Sequence, residues 1–99
     1  MVKVTKENFN DFVADDLVLL DFYATWCNPC KVLDGTLREY EKKHGTPVGK
    51  INVEESRGIT GAFGVLAIPT VIAMRAGREV HRASGAVTVD LLEKEFLEV

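Results

Sequence analysis

The run Leu17-Val18-Leu19-Leu20-Asp21-Phe22-Tyr23 constrains the fold more than any other stretch of the chain. A strand with one wet face would alternate apolar and polar residues; this one is nearly continuously apolar, so it reads as a strand covered on both faces. Asp21 interrupts it. A carboxylate in such a strand loses its hydration, which is costly while it stays charged and raises its pKa. Cys27 and Cys30, the only two cysteines, follow at the carboxyl end of this strand.

Two residues separate these cysteines. A bridge that short is a poor staple, because the loop it closes constrains little of the unfolded chain. Its better use is redox chemistry, in which one sulfur attacks a partner and the other completes the exchange. A length of 99 residues fits one domain, 1–99, with a single core. The net charge is -3 and the basic residues are scattered, with Lys42-Lys43 the only basic doublet, which argues against a nucleic-acid surface. No apolar run approaches membrane-spanning length, and Met1 to Lys6 lacks the apolar core of a signal peptide. The expected location is therefore cytoplasmic, where a lone pair of this spacing is catalytic or metal-binding rather than structural. Zinc usually takes four ligands, and His44 and His81 lack finger spacing, so no metal site is expected within one chain.

The pattern predicts the order β-α-β-α-β-α-β-β-α. Val2 to Val4 reads as a strand, and Thr5 as the cap of a helix through Ala14. Leu33, Leu37 and Tyr40 mark a helix after the cysteines, which His44-Gly45 stops. Val48 to Val53 reads as a second buried strand, and a short helix is predicted around Ile59 to Phe63. Thr70 to Met74 and a partner reaching about Ala83 form a hairpin across Arg75-Ala76-Gly77-Arg78, with charged residues suited to a sheet edge. Thr88 caps a last helix that turns Val89, Leu92 and Phe96 inward. The fold class is thus α/β, a mixed central sheet of about five strands flanked by about four helices. Ligands of such sheets sit at the carboxyl ends of strands, where the cysteines lie.

These residues also carry a resemblance. Leu20 to Lys31, containing Trp26-Cys27-Asn28-Pro29-Cys30, resembles the active-site segment of the thioredoxin family. Phe63-Gly64-Val65 leading into Ile68-Pro69-Thr70, Ala76-Gly77 followed by Gly85-Ala86, and Lys50-Ile51-Asn52-Val53-Glu54 match in order and spacing over essentially the whole chain. The resemblance implies a thioredoxin fold and a monomeric protein-disulfide reductase. It implies recharging by a flavin- or ferredoxin-dependent thioredoxin reductase, disulfide-containing proteins as substrates, and no bound cofactor.

The site follows from both readings. Cys27, at a helix N-terminus that favours a thiolate, is the candidate nucleophile and should lie at the surface. Cys30, one turn further in, is the candidate resolving thiol. A buried acid near two thiols can shuttle the Cys30 proton, and the resemblance places the family's buried acid at Asp21 and its neighbouring lysine at Lys50. The resemblance makes Trp26 a shield for the disulfide and puts Pro69 in a cis-proline loop beside Cys27. The backbone of Ile68 would then pair with an extended substrate. In this resemblance Gly64, Val65, Ala67, Ile68 and Gly85 would complete a docking rim, with Asn28 and Pro29 between the sulfurs.

Two positions depart from the family pattern. Asn28 replaces the usual glycine in the dipeptide that tunes redox poise, and Gly35 replaces a helix-kinking proline. A protein-binding module with secondary redox activity, a disulfide oxidase or isomerase, and a metal site shared between chains remain as alternatives.

Overall fold

The computed structural model describes residues 1–97. Their elements are β1 (Val2–Lys3), α1 (Phe9–Val13), β2 (Leu17–Tyr23), α2 (Asn28–His44), β3 (Val48–Asn52), α3 (Arg57–Ala62), β4 (Thr70–Arg75), β5 (Arg78–Ser84) and α4 (Val89–Glu95). The strands lie in the spatial order β1-β3-β2-β4-β5. β3 runs parallel to β1 and β2, while β4 pairs antiparallel with β2 and β5. The mixed sheet arises because α2 carries the chain back to start β3 in the direction of β2, whereas a tight turn reverses it between β4 and β5.

β2 is central, and its alternation assigns each side chain to a layer. Val18, Leu20 and Phe22 face one way, where Val13, Phe9 and Phe12 of α1 and Ile59 of α3 meet them. Leu19 faces the other way, against Leu33, Leu37 and Tyr40 of α2, together with Leu92 and Phe96. Burying each such aliphatic or aromatic side chain is worth roughly 1.5–3 kcal/mol, so this strand anchors both layers. By the same alternation Asp21 shares the Leu19 face and looks toward α2. On the opposite face Gly49 admits the Phe12 ring: a Cβ there would come within 2.6 Å of Phe12 and Val4 side-chain atoms.

The helix through Ala14 begins later than expected. Asn8 Oδ1 accepts the Thr5 N–H at 2.8 Å, and the Asn8 N–H reaches Thr5 O at 3.2 Å. These bonds hold residues 5–8 in a turn that competes with the first helical turn, so Asn8 rather than Thr5 precedes α1. The Thr88 cap is present, with its side chain accepting the Leu91 N–H at 3.1 Å. In the β4–β5 hairpin Ala76 and Gly77 both have positive φ (51° and 82°), the geometry whose twist suits two-residue hairpin loops.

α2 ends on Gly45 in the left-handed region, whose N–H closes on Glu41 O at 2.8 Å. It runs without interruption through Gly35, which is exposed and has open space where a Cβ would sit. Gly35→Ala should therefore stabilise the protein by about 0.5–1 kcal/mol, chiefly by restricting the unfolded chain. A raised urea midpoint with unchanged slope is the expected result; a lowered midpoint contradicts it.

Candidate active site

The loop leaving β2 delivers the cysteines to the start of α2. Cys27 is the capping residue, with extended backbone (φ -87°, ψ 108°), and its Sγ accepts the Cys30 N–H at 3.2 Å. The unpaired N–H groups and positive dipole end of the helix favour charge on this sulfur, and Pro29 occupies the first turn at no hydrogen-bond cost. Cys27 and Cys30 form a disulfide, their Cα atoms 5.2 Å apart.

Cys27 was expected at the surface, yet it retains only 5% exposure, close to the 3% of Cys30. Ala24 joins the two sulfur residues in a small apolar cluster, and Tyr23, Val53 and Ile68 pack against it. The sulfur of Cys27 lies against the first helical turn, bonded to Cys30 and accepting its N–H.

Exposed residues ring the pair. Asn28 and Pro29 are exposed, and Trp26 is 65% exposed with its indole N–H donating to Glu54 Oε1 at 3.1 Å. Glu54 is itself exposed, so this contact lies at the protein surface. The Ile68–Pro69 peptide bond is cis. Pro69 O accepts the Gly85 N–H at 3.0 Å, joining two of the sequence matches far apart in the chain. Gly64 and Gly85 both occupy the left-handed region (φ 63° and 84°). Val65, expected on the docking rim, is half-buried against the α1/α3 layer, and its neighbour Leu66 is 99% exposed in its place. Chain alternation in the loop decides which of the two points outward, a detail apolar composition does not specify. An open groove of about 570 Å³ lies on the far side of the pair, walled by Pro29, Val32, Leu33, Gly85, Val87 and Val89.

Asp21 is completely buried, and neither carboxylate oxygen has a hydrogen-bond partner. Burial pushes its carboxyl up from 3.8 to about 7, opposed by the Lys50 ammonium and reinforced by the Asp34 charge. Lys50 lies opposite Asp21 in the β2–β3 register. Its ion pair, however, is with Asp34 Oδ1 at 2.5 Å, not with Asp21, and its Nζ lies 4.4 Å from the centre of the Tyr23 ring. The expected Asp21–Lys50 partnership is thus a proximity without a hydrogen bond. Burial would raise Asp34, but hydrogen bonds from Lys50 and Arg38 outweigh it and hold its carboxyl below the ordinary value. Sequence reading missed Asp34; its one signal was the four-residue spacing from Cys30, which puts both on one helix face.

Among the described residues no group of three or more His, Cys, Asp or Glu side chains could hold a metal ion. No helix among them is long and apolar enough to cross a membrane.

The family profile described as Thioredoxin matches residues 1–98. The chain belongs to the thioredoxin family. Thioredoxin from Chlamydia caviae is 43% identical over 93% of this chain and 92% of its own length. That from Bacillus subtilis is 32% identical over 95% and 92% respectively. Mitochondrial thioredoxin 3 from Saccharomyces cerevisiae, in its oxidized form, superposes with a TM-score of 0.90 at 29% identity, covering 100% of this chain and 95% of that one. The architecture is the thioredoxin fold, and a family member with a Cys27–Cys30 pair able to form a disulfide is a thiol–disulfide oxidoreductase.

Asp21 also leaves a mark on stability. Its folded pKa of about 7 lies above the unfolded 3.8, so the folded state binds the extra proton between these values. Stability from this group is therefore full below about pH 4 and falls as pH rises toward 7. The stability difference between Asp21→Asn and wild type should shift in favour of the variant by roughly 3–4 kcal/mol between pH 3.5 and 7.5. Denaturant titrations at both pH values measure it; a pH-independent difference contradicts the buried, unpaired carboxylate.

Proposed function

We propose that this thioredoxin works in the reducing direction, with Cys27 as nucleophile, Cys30 as resolving thiol and Asp21 as the group that accepts the Cys30 proton. The observation that carries the reading is the placement of the pair: Cys27 caps α2, while Cys30, one turn in, borders the cavity that contains Lys50 and Asp34. The first sulfur is stabilised as a thiolate by the helix terminus, and the second needs a base.

The reaction balances over two exchanges. The Cys27 thiolate attacks one sulfur of a substrate disulfide; a mixed disulfide forms and the other substrate sulfur leaves as a thiolate. The Cys30 thiol then gives its proton to the Asp21 carboxylate, and its sulfur attacks the Cys27 sulfur. The Cys27–Cys30 bond forms, the second substrate thiolate departs, and two electrons have passed from the pair to the substrate. The redox group is the pair itself, so no bound cofactor is required.

Around the sulfurs, Trp26, Asn28 and Pro29 on one side and Gly64, Ile68, Pro69 and Gly85 on the other form the substrate surface. The Ile68 backbone pairs with an extended substrate strand, and Pro69, which has no N–H, keeps a donor away from the sulfurs. Leu66 belongs to this surface by its exposure. The chain acts as a single cytoplasmic domain, residues 1–99. A thioredoxin reductase recharges it, and disulfide-bonded proteins are its substrates.

Retention of Pro29, Asp21 and Lys50 supports a reducing pair despite Asn28. Thiol trapping in graded redox buffers should give a potential near about -270 mV; a value above about -200 mV would move the protein among oxidants and isomerases. Cys27→Ser should abolish turnover of a disulfide-bonded protein substrate, whereas Cys30→Ser should accumulate the Cys27 mixed disulfide. Substantial turnover by the Cys27→Ser variant would show that another group attacks.

A further inference from the structure

Asp34 takes no part in the exchange just described, yet it stands among its groups. It lies one helical turn beyond Cys30 on α2, and the two share the wall of a cavity of about 300 Å³ with Tyr23, Lys31 and Lys50. Asp34 Oδ1 pairs with Lys50 Nζ at 2.5 Å and Asp34 Oδ2 accepts from Arg38 Nε at 2.9 Å. The same ammonium lies over the Tyr23 ring. Asp21, directly across the β2–β3 register from Lys50, keeps both oxygens unpartnered. The nearby ammonium is therefore committed to a second carboxylate.

We propose that Asp34 is a positioning residue for the Cys30 proton transfer: by anchoring the Lys50 ammonium to α2, it leaves Asp21 as the unpaired base of the buried site. An ammonium hydrogen-bonded to Asp21 would stabilise the carboxylate and make it a weaker base. The charged groups that bear on Asp21 are Lys50 from β3 and Asp34 from α2. Arg38 and Lys31 complete the charged side chains on this stretch of α2, and Arg38 is held by Asp34. Asp34 acts twice in the same direction, by restraining the cation and by adding its own negative charge. A base whose affinity for protons lies near the working pH is the most effective at removing one from a thiol. The inference rests on the reading of Asp21 as proton acceptor.

The test is a carboxyl-carbon NMR titration of Asp21 in wild type, Asp34→Asn, Asp34→Glu, Lys50→Gln and the Asp34→Asn/Lys50→Gln double variant. It is paired with the pH profile of substrate release from the Cys27 mixed disulfide. Asp34→Asn should free Lys50 to pair with Asp21 and lower the Asp21 midpoint by about one pH unit. Asp34→Glu, which keeps the carboxylate, should restore most of the wild-type midpoint and serves as the folded control. The fall on removing Asp34 should be larger with Lys50 present than in the Lys50→Gln background, since only the first contains the released ammonium. The release profile should move to lower pH with the Asp21 midpoint. An unmoved or raised Asp21 midpoint in Asp34→Asn, or equal falls in the two backgrounds, overturns the hold of Asp34 on Lys50. A moved midpoint with an unmoved release profile instead overturns the role of Asp21 in the exchange, and with it the catalytic part of the proposal.

Discussion

Everything in this molecule is arranged about a strand that has no wet face. β2 is packed by α1 and α3 on one side and by α2 and α4 on the other, and it carries one carboxylate into that position. The exclusion of water that makes β2 the anchor of both layers also strips Asp21 of its hydration. An apolar residue there would cost nothing. Keeping an acid in that place makes the protein less stable at neutral pH than its packing allows, and it leaves a carboxyl that titrates near neutrality two residues before the end of the strand that leads to the cysteines.

The same strand determines where the sulfurs go. Its carboxyl end opens directly into the first turn of α2, so Cys27 meets the unpaired N–H groups of a helix terminus and Cys30 lies one turn deeper. In the bridged state Cys27 lies against that turn among Ala24, Val53 and Ile68. The segment around Pro69 comes from the far side of β2, and the bond from Gly85 to Pro69 ties the end of β5 to it. Three distant stretches of chain thus converge at one end of the sheet, as ligand sites of open α/β sheets do.

Much of this was legible residue by residue. The apolar run of β2, the Leu33–Leu37–Tyr40 spacing, the Gly45 stop, the Ala76-Gly77 turn and the Thr88 cap are local signals, and each governs structure within a few residues of itself. Thr5 misled because Asn8, three residues on, offered the backbone a competing turn. Val65 and Leu66 are both apolar, and only the path of the loop chose Leu66 to face solvent. The burial of Cys27 depends on Ile68 and Val53, which no local pattern connects to it.

The pairing of charges shows the division most plainly. The sequence alone determined the order of helices and strands along the chain, the α/β class, the redox pair and the presence of an acid inside the sheet, because these follow from periodicity and spacing along the chain. Which acid holds Lys50 was decided only by tertiary structure. The strand register sets Lys50 opposite Asp21, but its long side chain can reach across to α2, where Asp34 is partly solvated and Asp21 is not. A charged pair forms at lower cost where one partner keeps some water, so the lysine goes to the helix and the buried carboxyl is left alone.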